Sequence, residues 1–349
     1  MTTIYMATDE ALVMIHKRGV RWHATRKLEG LRPQCVAVDP GRPERVYCGT
    51  FGRGLWRSQD AGATWQLASE GITQSQVMAV AVSPVERAGE LGVVWAGTEP
   101  SAIFRSEDGG DTWLEQPALR KLPSAPTWSF PPRPYTSHVR WITPDPNRSG
   151  LLLAAIEAGG VMRSMDGGST WEDRKPTGPY DAHTMAAHRL APGRVYASAG
   201  DGFGRAGAGY AESRDGGETW ERFGEGLRHH YLWGLAVDPT NPDTVVISAA
   251  HGPQQAHNPH VAEAAIYRRT AGEPWQHVQA GLPDPKGTRV YSLAANEAEP
   301  GAFYAATHEG QVFRSPDAGL TWERLDIAWP EGRGTHSGMP AGLAVVEND

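Results

Sequence analysis

The octapeptide Ser-x-Asp-x-Gly-x-Thr-Trp occurs five times in this 349-residue chain and constrains its fold more than any other feature. Trp22 and Trp275 mark two degenerate copies, so seven tryptophans recur at intervals of 43 to 58 residues. A period of this length, with several short strands in each unit, is typical of a β-propeller. The five intact copies are Ser58–Trp65, Ser106–Trp113, Ser164–Trp171, Ser213–Trp220 and Ser315–Trp322.

One repeat shows how a blade is built. Val77–Pro84 predicts an inner strand A of small and β-branched residues, and Val93–Thr98 predicts strand B. Ala102–Ser106 predicts strand C, the octapeptide forms the hairpin that follows it, and strand D begins at Trp113. The sequence therefore predicts an all-β protein with four antiparallel strands in each blade.

The two ends of the chain complement each other. Ala341–Glu347 resembles a strand A with no further strands after it, and Ile4–Trp22 resembles strands B, C and D with no strand A before them. Together they complete a seventh blade, which removes the exposed sheet edges of an open ring. We therefore expect one domain over 1–349, with blade 1 formed by 338–349 and 1–27, and insertions at 117–135, 199–210 and 249–265.

The aspartates of the octapeptide are predicted to be structural. Their carboxylates can accept hydrogen bonds across the hairpin, and the glycine can adopt a positive φ. Five copies spread around a ring cannot converge on one substrate, which disfavours a catalytic or calcium-binding role. The aspartates are Asp60, Asp108, Asp166, Asp215 and Asp317.

Composition excludes several classes of function. The net charge of −7 and the lack of basic runs disfavour a nucleic-acid partner. No apolar run is long enough to span a membrane, and the first residues lack the features of a signal peptide, so we expect a cytoplasmic protein. Cys35 and Cys48 fall on adjacent strands and are predicted to be buried free thiols. A monomer is the default expectation for a closed ring.

The octapeptide resembles the Asp-box, or BNR repeat, of sialidases, sortilin-type receptors, some xyloglucan-active glycosidases and the photosystem II assembly factors. The resemblance covers nearly the whole chain and implies the propeller fold. These families include both enzymes and binding proteins, so it implies no single activity. The chain lacks the Phe-Arg-Ile-Pro motif and the six blades of sialidases, and its seven blades are more similar to the assembly factors.

Polar residues concentrate at one end of the predicted channel. The segments that lead into strands A and the loops between strands B and C share this end, and they carry nine of the 13 histidines, among them His336. A concave polar site is expected there. No Gly-x-Ser-x-Gly, phosphate-loop or His-Glu-x-x-His motif occurs, which disfavours serine hydrolases, nucleotide hydrolases and zincins.

Three interpretations of these residues stay open. Acid–base catalysis would use His251, His308, Glu157, Tyr231 and Tyr291. Substrate would be held by Arg32, Arg53, Arg140, Arg289, Trp233 and Glu99, because guanidinium groups match carboxylates and phosphates. In the second interpretation, one divalent transition metal would take its ligands from His138, His183, His230, His251 and His308. The third interpretation is a surface of solvated loops that binds a protein partner.

The sequence thus predicts a propeller enzyme, either a hydrolase or a lyase, that acts on a small polar, anionic or glycan-type ligand. The alternative is a non-catalytic binding or assembly platform. Its best candidate surface lies in the proline-rich insertion, where Trp128, Phe130 and Tyr135 would form an exposed apolar patch.

Overall fold

Seven mainly antiparallel sheets follow one another along the chain and surround a central channel. The computed structural model that shows them describes residues 1–132, 136–330 and 340–347. The sheets form a seven-bladed β-propeller, so the fold predicted from the tryptophan period is confirmed. We name the strands of each blade A to D from the channel outwards.

The first four blades, each taken from strand A, contain these strands. Blade 1 has Pro340–Glu347, Thr2–Thr8, Leu12–Arg18 and Arg21–Lys27, with Ile327–Ala328 added in parallel at its outer edge. Blade 2 has Pro33–Asp39, Arg42–Thr50, Leu55–Ser58 and Gln66–Leu67. Blade 3 has Gln76–Ala88, Leu91–Glu99, Ile103–Ser106 and Leu114–Glu115. Blade 4 has Val139–Pro144, Leu152–Ile156 and Gly160–Ser164, and a bridge between Arg163 and Glu172 takes the place of its strand D.

The remaining blades follow the same order. Blade 5 has Ala182–Ala187, Val195–Ala199, Tyr210–Ser213 and Glu221–Arg222. Blade 6 has Tyr231–Asp238, Asn241–Ala250, Ala264–Arg269 and Gln276–Val278. Blade 7 has Ser292–Ala295, Phe303–Ala306, Val312–Ser315 and Glu323–Arg324. The described helices are the α-helix Pro253–His257 and the 3-10 turns Leu119–Lys121, Ala125–Thr127 and Gly200–Phe203.

The two ends of the chain pair within blade 1. Strand Thr2–Thr8 runs antiparallel to Pro340–Glu347, with Tyr5 opposite Ala344. Ile4 and Met6 of this strand are fully buried. The pairing supplies the inner strand on which these buried side chains depend.

All five octapeptides share one hydrogen-bond pattern. In the third copy, the Asp166 carboxylate accepts the Thr170 amide at 2.8 Å and the Thr170 hydroxyl at 2.6 Å. The Ser164 hydroxyl donates to the same aspartate at 3.0 Å and accepts the Gly168 amide at 2.8 Å. Gly168 has a φ of +81°, a conformation that favours glycine. These contacts satisfy the polar groups of a tight hairpin from within it.

The buried interior lies between neighbouring blades and is mostly apolar. Trp113 of blade 3, for example, packs in one cluster with Tyr47 of blade 2 and donates its indole N–H to the Ala68 carbonyl at 2.9 Å. Cys35 and Cys48 lie on paired strands and are buried free thiols, as predicted. Among the helices of the described residues, none is long and apolar enough to cross a membrane.

The channel has two distinct ends. Gln76 at the start of a strand A lies opposite Glu99 at the end of its strand B, so the B–C loops and the starts of strands A share one end. We call this end the mouth; the octapeptide hairpins lie at the other end. The channel encloses about 750 Å³ and is lined by strand A residues of all seven blades, with Arg140 and Thr184 toward the mouth.

The described part of the proline-rich insertion does not present the predicted apolar patch. Trp128 is 8% exposed, packs against core residues of blades 3 and 4, and donates its indole N–H to the Ser124 hydroxyl at 2.9 Å. Phe130 contacts the His138 ring edge-on, with centroids 5.0 Å apart. Tyr135 lies outside the described residues. The predicted exposure of Trp128 was wrong because a tryptophan with a hydrogen-bond partner can be buried at little cost.

Candidate functional site

A buried cluster of charged residues lies at the mouth between blades 3, 4 and 5. His138 immediately precedes strand A of blade 4, and Glu157 immediately follows strand B. The antiparallel pair Val139 and Ile156 therefore brings the two side chains together. Nε2 of His138 lies 2.6 Å from Oε2 of Glu157, a hydrogen bond that the carboxylate accepts.

Two further charges complete this part of the cluster. Nε of Arg140 lies 3.6 Å from Oε2 of Glu157, and Oε2 of Glu99 lies 3.6 Å from Nδ1 of His138. Burial alone would raise the pKa of Glu157, but the hydrogen bond and charge of His138, with the charges of Arg140 and His183, lower that pKa to about 2. Glu157 is therefore ionised at neutral pH.

Blade 5 adds a histidine and a second carboxylate. His183 is fully buried, and its Nδ1–H donates to the Leu232 carbonyl at 2.6 Å. Its Nε2 lies 3.5 Å from Oδ2 of Asp181 and 3.4 Å from the Tyr231 hydroxyl. Burial would lower the pKa of His183, but the charges of Asp181 and Glu157 outweigh it and raise that pKa. One oxygen each of Glu157 and Asp181 and one nitrogen of His183 lie within 4.8 Å of one another.

Aromatic rings enclose this cluster on the side of blade 6. The Trp233 ring lies 4.5 Å from the ring of His183, and the Arg140 guanidinium lies 4.7 Å above the Trp233 ring. His257, at the end of the α-helix, contacts Trp233 at 4.5 Å, and its Nε2 lies 3.4 Å from the Tyr231 hydroxyl. Burial, with a smaller contribution from His183, lowers the pKa of His257 to about 4. Desolvation likewise raises the pKa of Tyr231.

The insertions cover most of the cluster. His257 comes from the insertion in blade 6, and Phe130, which contacts His138, comes from the proline-rich insertion. Asp181 is the member that solvent reaches, since 28% of its side chain is exposed. The Glu157 and His183 side chains behind it are almost completely buried. A ligand would therefore meet Asp181 first.

A second cluster lies at the mouth on blade 6. Nε2 of His229 and Nε2 of His251 lie 3.9 and 3.8 Å from Oε1 of Glu263, and the two imidazole rings are 4.2 Å apart. Burial and the neighbouring His251 lower the pKa of His229 to about 4. His251 therefore belongs with His229 and Glu263, not with the Glu157 cluster where the sequence analysis placed it.

His308 lies at the mouth near His257. It is buried, its ring lies 6.4 Å from the ring of His257, and neither ring nitrogen has a hydrogen-bond partner among the described residues. Burial, with the charge of Arg289, lowers the pKa of His308 to about 3. Arg289 pairs with Glu309 at 2.8 Å. His336 lies outside the described residues.

Several predicted site residues lie elsewhere. Tyr291 packs with Phe313 in the core between blades 6 and 7, and burial raises its pKa, so it is no candidate proton donor at the mouth. Arg32 and Arg53 are exposed, and Arg32 stacks on Phe51 at 4.5 Å. Nδ1 of His230 accepts the Gly207 amide at 3.3 Å. The five histidines predicted as ligands of one metal thus make separate contacts and do not form one cluster. They are His138, His183, His230, His251 and His308.

Sequence reasoning missed Asp181 and Glu263. Asp181 precedes His183 by two residues, and side chains two residues apart along a strand share one face, so this spacing could have identified it. Glu263 lies twelve residues beyond His251, across an insertion of irregular length, and no local pattern indicates their contact.

Comparison with known proteins shows distant similarity to glycan-degrading enzymes. No family model matches the sequence. The chain is 26% identical over 157 residues to the oligoxyloglucan-reducing end-specific xyloglucanase of Emericella nidulans, covering 41% of this chain and 18% of that protein. It is 24% identical over 291 residues to xyloglucanase Xgh74A of Acetivibrio thermocellus, covering 70% of this chain and 32% of that protein. The chain thus spans less than a third of the length of these relatives.

Solved structures share the propeller fold. The GH74 enzyme of Niastella koreensis superposes with a TM-score of 0.69 at 15% identity, covering 93% of this chain and 52% of that one. YCF48 bound to D1 peptide superposes with a TM-score of 0.58 at 17% identity, covering 84% and 80% of the two chains. At these identities the likeness shows the fold alone.

Proposed function

We propose that the protein is a glycoside hydrolase whose paired carboxylates are Glu157 and Asp181. The observation that carries this proposal is their proximity, with an oxygen of each and a His183 nitrogen within 4.8 Å of one another. Glycosidases that retain anomeric configuration hold two carboxyl groups about 5 to 5.5 Å apart, whereas inverting enzymes hold them about 6.5 to 9.5 Å apart. The 4.8 Å limit on these two oxygens lies below the inverting range, so a retaining mechanism is the closer match.

The two carboxylates would have different roles. Glu157, with its pKa of about 2, would remain ionised and attack the anomeric carbon. The leaving oxygen would take its proton from His183 Nε2, whose pKa is raised beside Asp181, directly or through the Asp181 carboxyl group. Water would then hydrolyse the glycosyl ester and return the proton to this pair.

Neighbouring side chains suit a sugar ligand. Trp233, whose ring packs against Arg140 and His183, closes the site on the side of blade 6, and Arg140 and Tyr231 carry polar hydrogens beside the carboxylates. The similarity to two xyloglucanases supports a glycan, in preference to another small anion, as the substrate class. A lyase would instead use the Asp181 carboxylate to abstract a proton from its substrate, but the paired carboxylates favour hydrolysis.

A non-catalytic binding platform is the second candidate. It is favoured by the almost complete burial of Glu157 and His183 behind the insertions, and by the superposition on YCF48, which was solved with a peptide. A platform of this kind would bind its ligand at the mouth without changing it.

The experiment that separates the two candidates follows product formation by proton NMR on a panel of β-linked oligosaccharides, including fragments of xyloglucan. Hydrolysis with net retention at the anomeric carbon supports the proposal. Asp181→Asn should remove it, whereas Asp166→Asn, a carboxylate at the opposite end of the channel, should not. Saturable binding of an oligosaccharide without any product would support the platform.

A further inference from the structure

Three side chains of blade 6 converge away from the Glu157 cluster. His229 lies two residues before strand A, His251 follows strand B, and Glu263 precedes strand C. The pairings of Tyr231 with Ala250 and of Ala250 with Ala264 place these three positions side by side. The convergence therefore follows from the register of the blade.

One nitrogen of this cluster is buried and unsatisfied. His229 is 7% exposed, and among the described residues its Nε2 has no hydrogen-bond partner. That nitrogen faces Oε1 of Glu263 at 3.9 Å, too far for a hydrogen bond. A buried polar atom without a partner is costly, so the arrangement favours a ligand that accepts its lone pair.

The other nitrogen of the ring is held in place. Nδ1 of His229 lies 2.7 Å from the hydroxyl of the buried Tyr267, whose oxygen also accepts the Arg228 amide at 3.4 Å. With its proton on Nδ1, the imidazole donates to Tyr267 and directs the Nε2 lone pair toward His251 and Glu263. A hydrogen bond of this kind to the distal nitrogen is usual for histidines that bind metals.

We propose that His229, His251 and Glu263 bind one divalent transition-metal ion, with zinc as the best-suited ion. Two imidazoles and one carboxylate form a set that zinc commonly takes, with bonds of about 2.0 to 2.2 Å. Tetrahedral ligands at such lengths lie roughly 3.4 Å apart. The two nitrogen-to-oxygen separations of 3.8 and 3.9 Å would have to shorten by only a few tenths of an ångström, and the two imidazole nitrogens already lie within 4.8 Å of each other.

The site would remain open to solvent. His251 has 52% of its side chain exposed and Glu263 has 33%, so an ion bound by these three residues would keep a position for water or a ligand. The insertion between His251 and Glu263 carries His257, which lies over Trp233. A bound ion would therefore fix both ends of the segment that covers the Glu157 cluster.

The test is a zinc titration of untagged protein against a chromophoric chelator, with elemental analysis of the dialysed complex. We expect one zinc per chain in the wild type, and binding at least about tenfold weaker in His251→Ala and in Glu263→Gln. Both positions are partly exposed, so neither variant should unfold the blade. His260→Ala is the matched control, because this exposed histidine lies in the same insertion outside the cluster.

Cobalt substitution gives a second readout. A cobalt complex of the wild type should show the visible absorption of a four- or five-coordinate ion, and His251→Ala should lose it. The absence of saturable zinc binding, or equal binding by the wild type and both variants, would overturn the proposal. Neither result would bear on glycan hydrolysis, which uses other residues and can be assayed in the presence of a chelator.

Discussion

Nε2 of His138 donates to Oε2 of Glu157 over 2.6 Å, and both side chains are more than nine-tenths buried. A carboxylate so far from water stays ionised only because cationic partners surround it. The contact therefore ties the chemistry of the mouth to the stability of blade 4, and both consequences can be measured.

The first prediction concerns stability in acid. Because the pKa of Glu157 falls from 4.5 to about 2 on folding, its contribution is fully present above pH 4.5 and is lost as the pH falls toward 2. We expect Glu157→Gln to lower the free energy of unfolding at neutral pH by about 3 kcal/mol, and to flatten the acid limb below pH 4.5. Urea unfolding across this range measures both effects.

The control is Glu10→Gln, which removes an exposed partner of Arg26 and should lower the free energy of unfolding by less than about 1 kcal/mol. Equal losses in the two variants would contradict the account.

The second prediction concerns His308. Its pKa in the folded protein, about 3, lies below its usual 6.5, so protonation favours the unfolded chain. Its contribution is complete above pH 6.5 and is lost as the pH falls toward 3. In His308→Leu, the free energy of unfolding should fall less steeply over this window, by up to about 1.4 kcal/mol per pH unit. His257 and His229 still titrate in the variant, so some slope remains. An unchanged slope would show that the ring is solvated or paired.

The third prediction concerns the octapeptide hairpins. Asp166 accepts the Thr170 amide and hydroxyl and the Ser164 hydroxyl, but it is exposed, so water weakens these bonds. Asp166→Ala should lower the free energy of unfolding by about 1 kcal/mol and leave the mouth unchanged. Thermal unfolding measures the loss of stability, and ligand binding measures whether the mouth is unchanged. Loss of binding without loss of stability would refute the structural role of the aspartate.

The fourth prediction concerns closure of the ring. Deleting strand Pro340–Glu347 would leave Thr2–Thr8 as an unpaired edge, with Ile4 and Met6 losing their inner neighbour. We expect a large loss of thermal stability together with concentration-dependent self-association in size-exclusion chromatography. Adding a synthetic peptide of the deleted strand should restore part of the stability. A monomer as stable as the full chain would contradict this role.

The fold could be predicted because one motif recurs along the chain, so the assignment of strands in each repeat is supported by the other repeats. Gly110 and Gly168 each lie in a hairpin whose hydrogen bonds are local, so five copies of one pattern determine five blades. Blade 4 is the exception, since its strand D is reduced to one bridge between Arg163 and Glu172 although its octapeptide is intact. Leu122 and Trp128 of the neighbouring insertion pack in one apolar cluster with Trp171 of this blade.

The site was harder to predict because it depends on which loops meet. The sequence placed His138, His183 and Glu157 at one end of the channel, and the geometry there follows from strand register. It could not assign His251 to Glu263, because that contact depends on the path of an insertion. Nor could it place Trp128, since burial of a tryptophan depends on a partner for its indole N–H.

The most direct test of the account measures release of reducing ends from xyloglucan oligosaccharides by the wild type, Glu157→Gln and Asp181→Asn. Circular dichroism should first confirm that each protein is folded. We predict hydrolysis by the wild type and a loss of at least about a hundredfold in both variants, because each removes one member of the carboxylate pair. A wild type that releases no reducing ends, or a folded Glu157→Gln that retains the full rate, would contradict the proposal that this pair hydrolyses glycans.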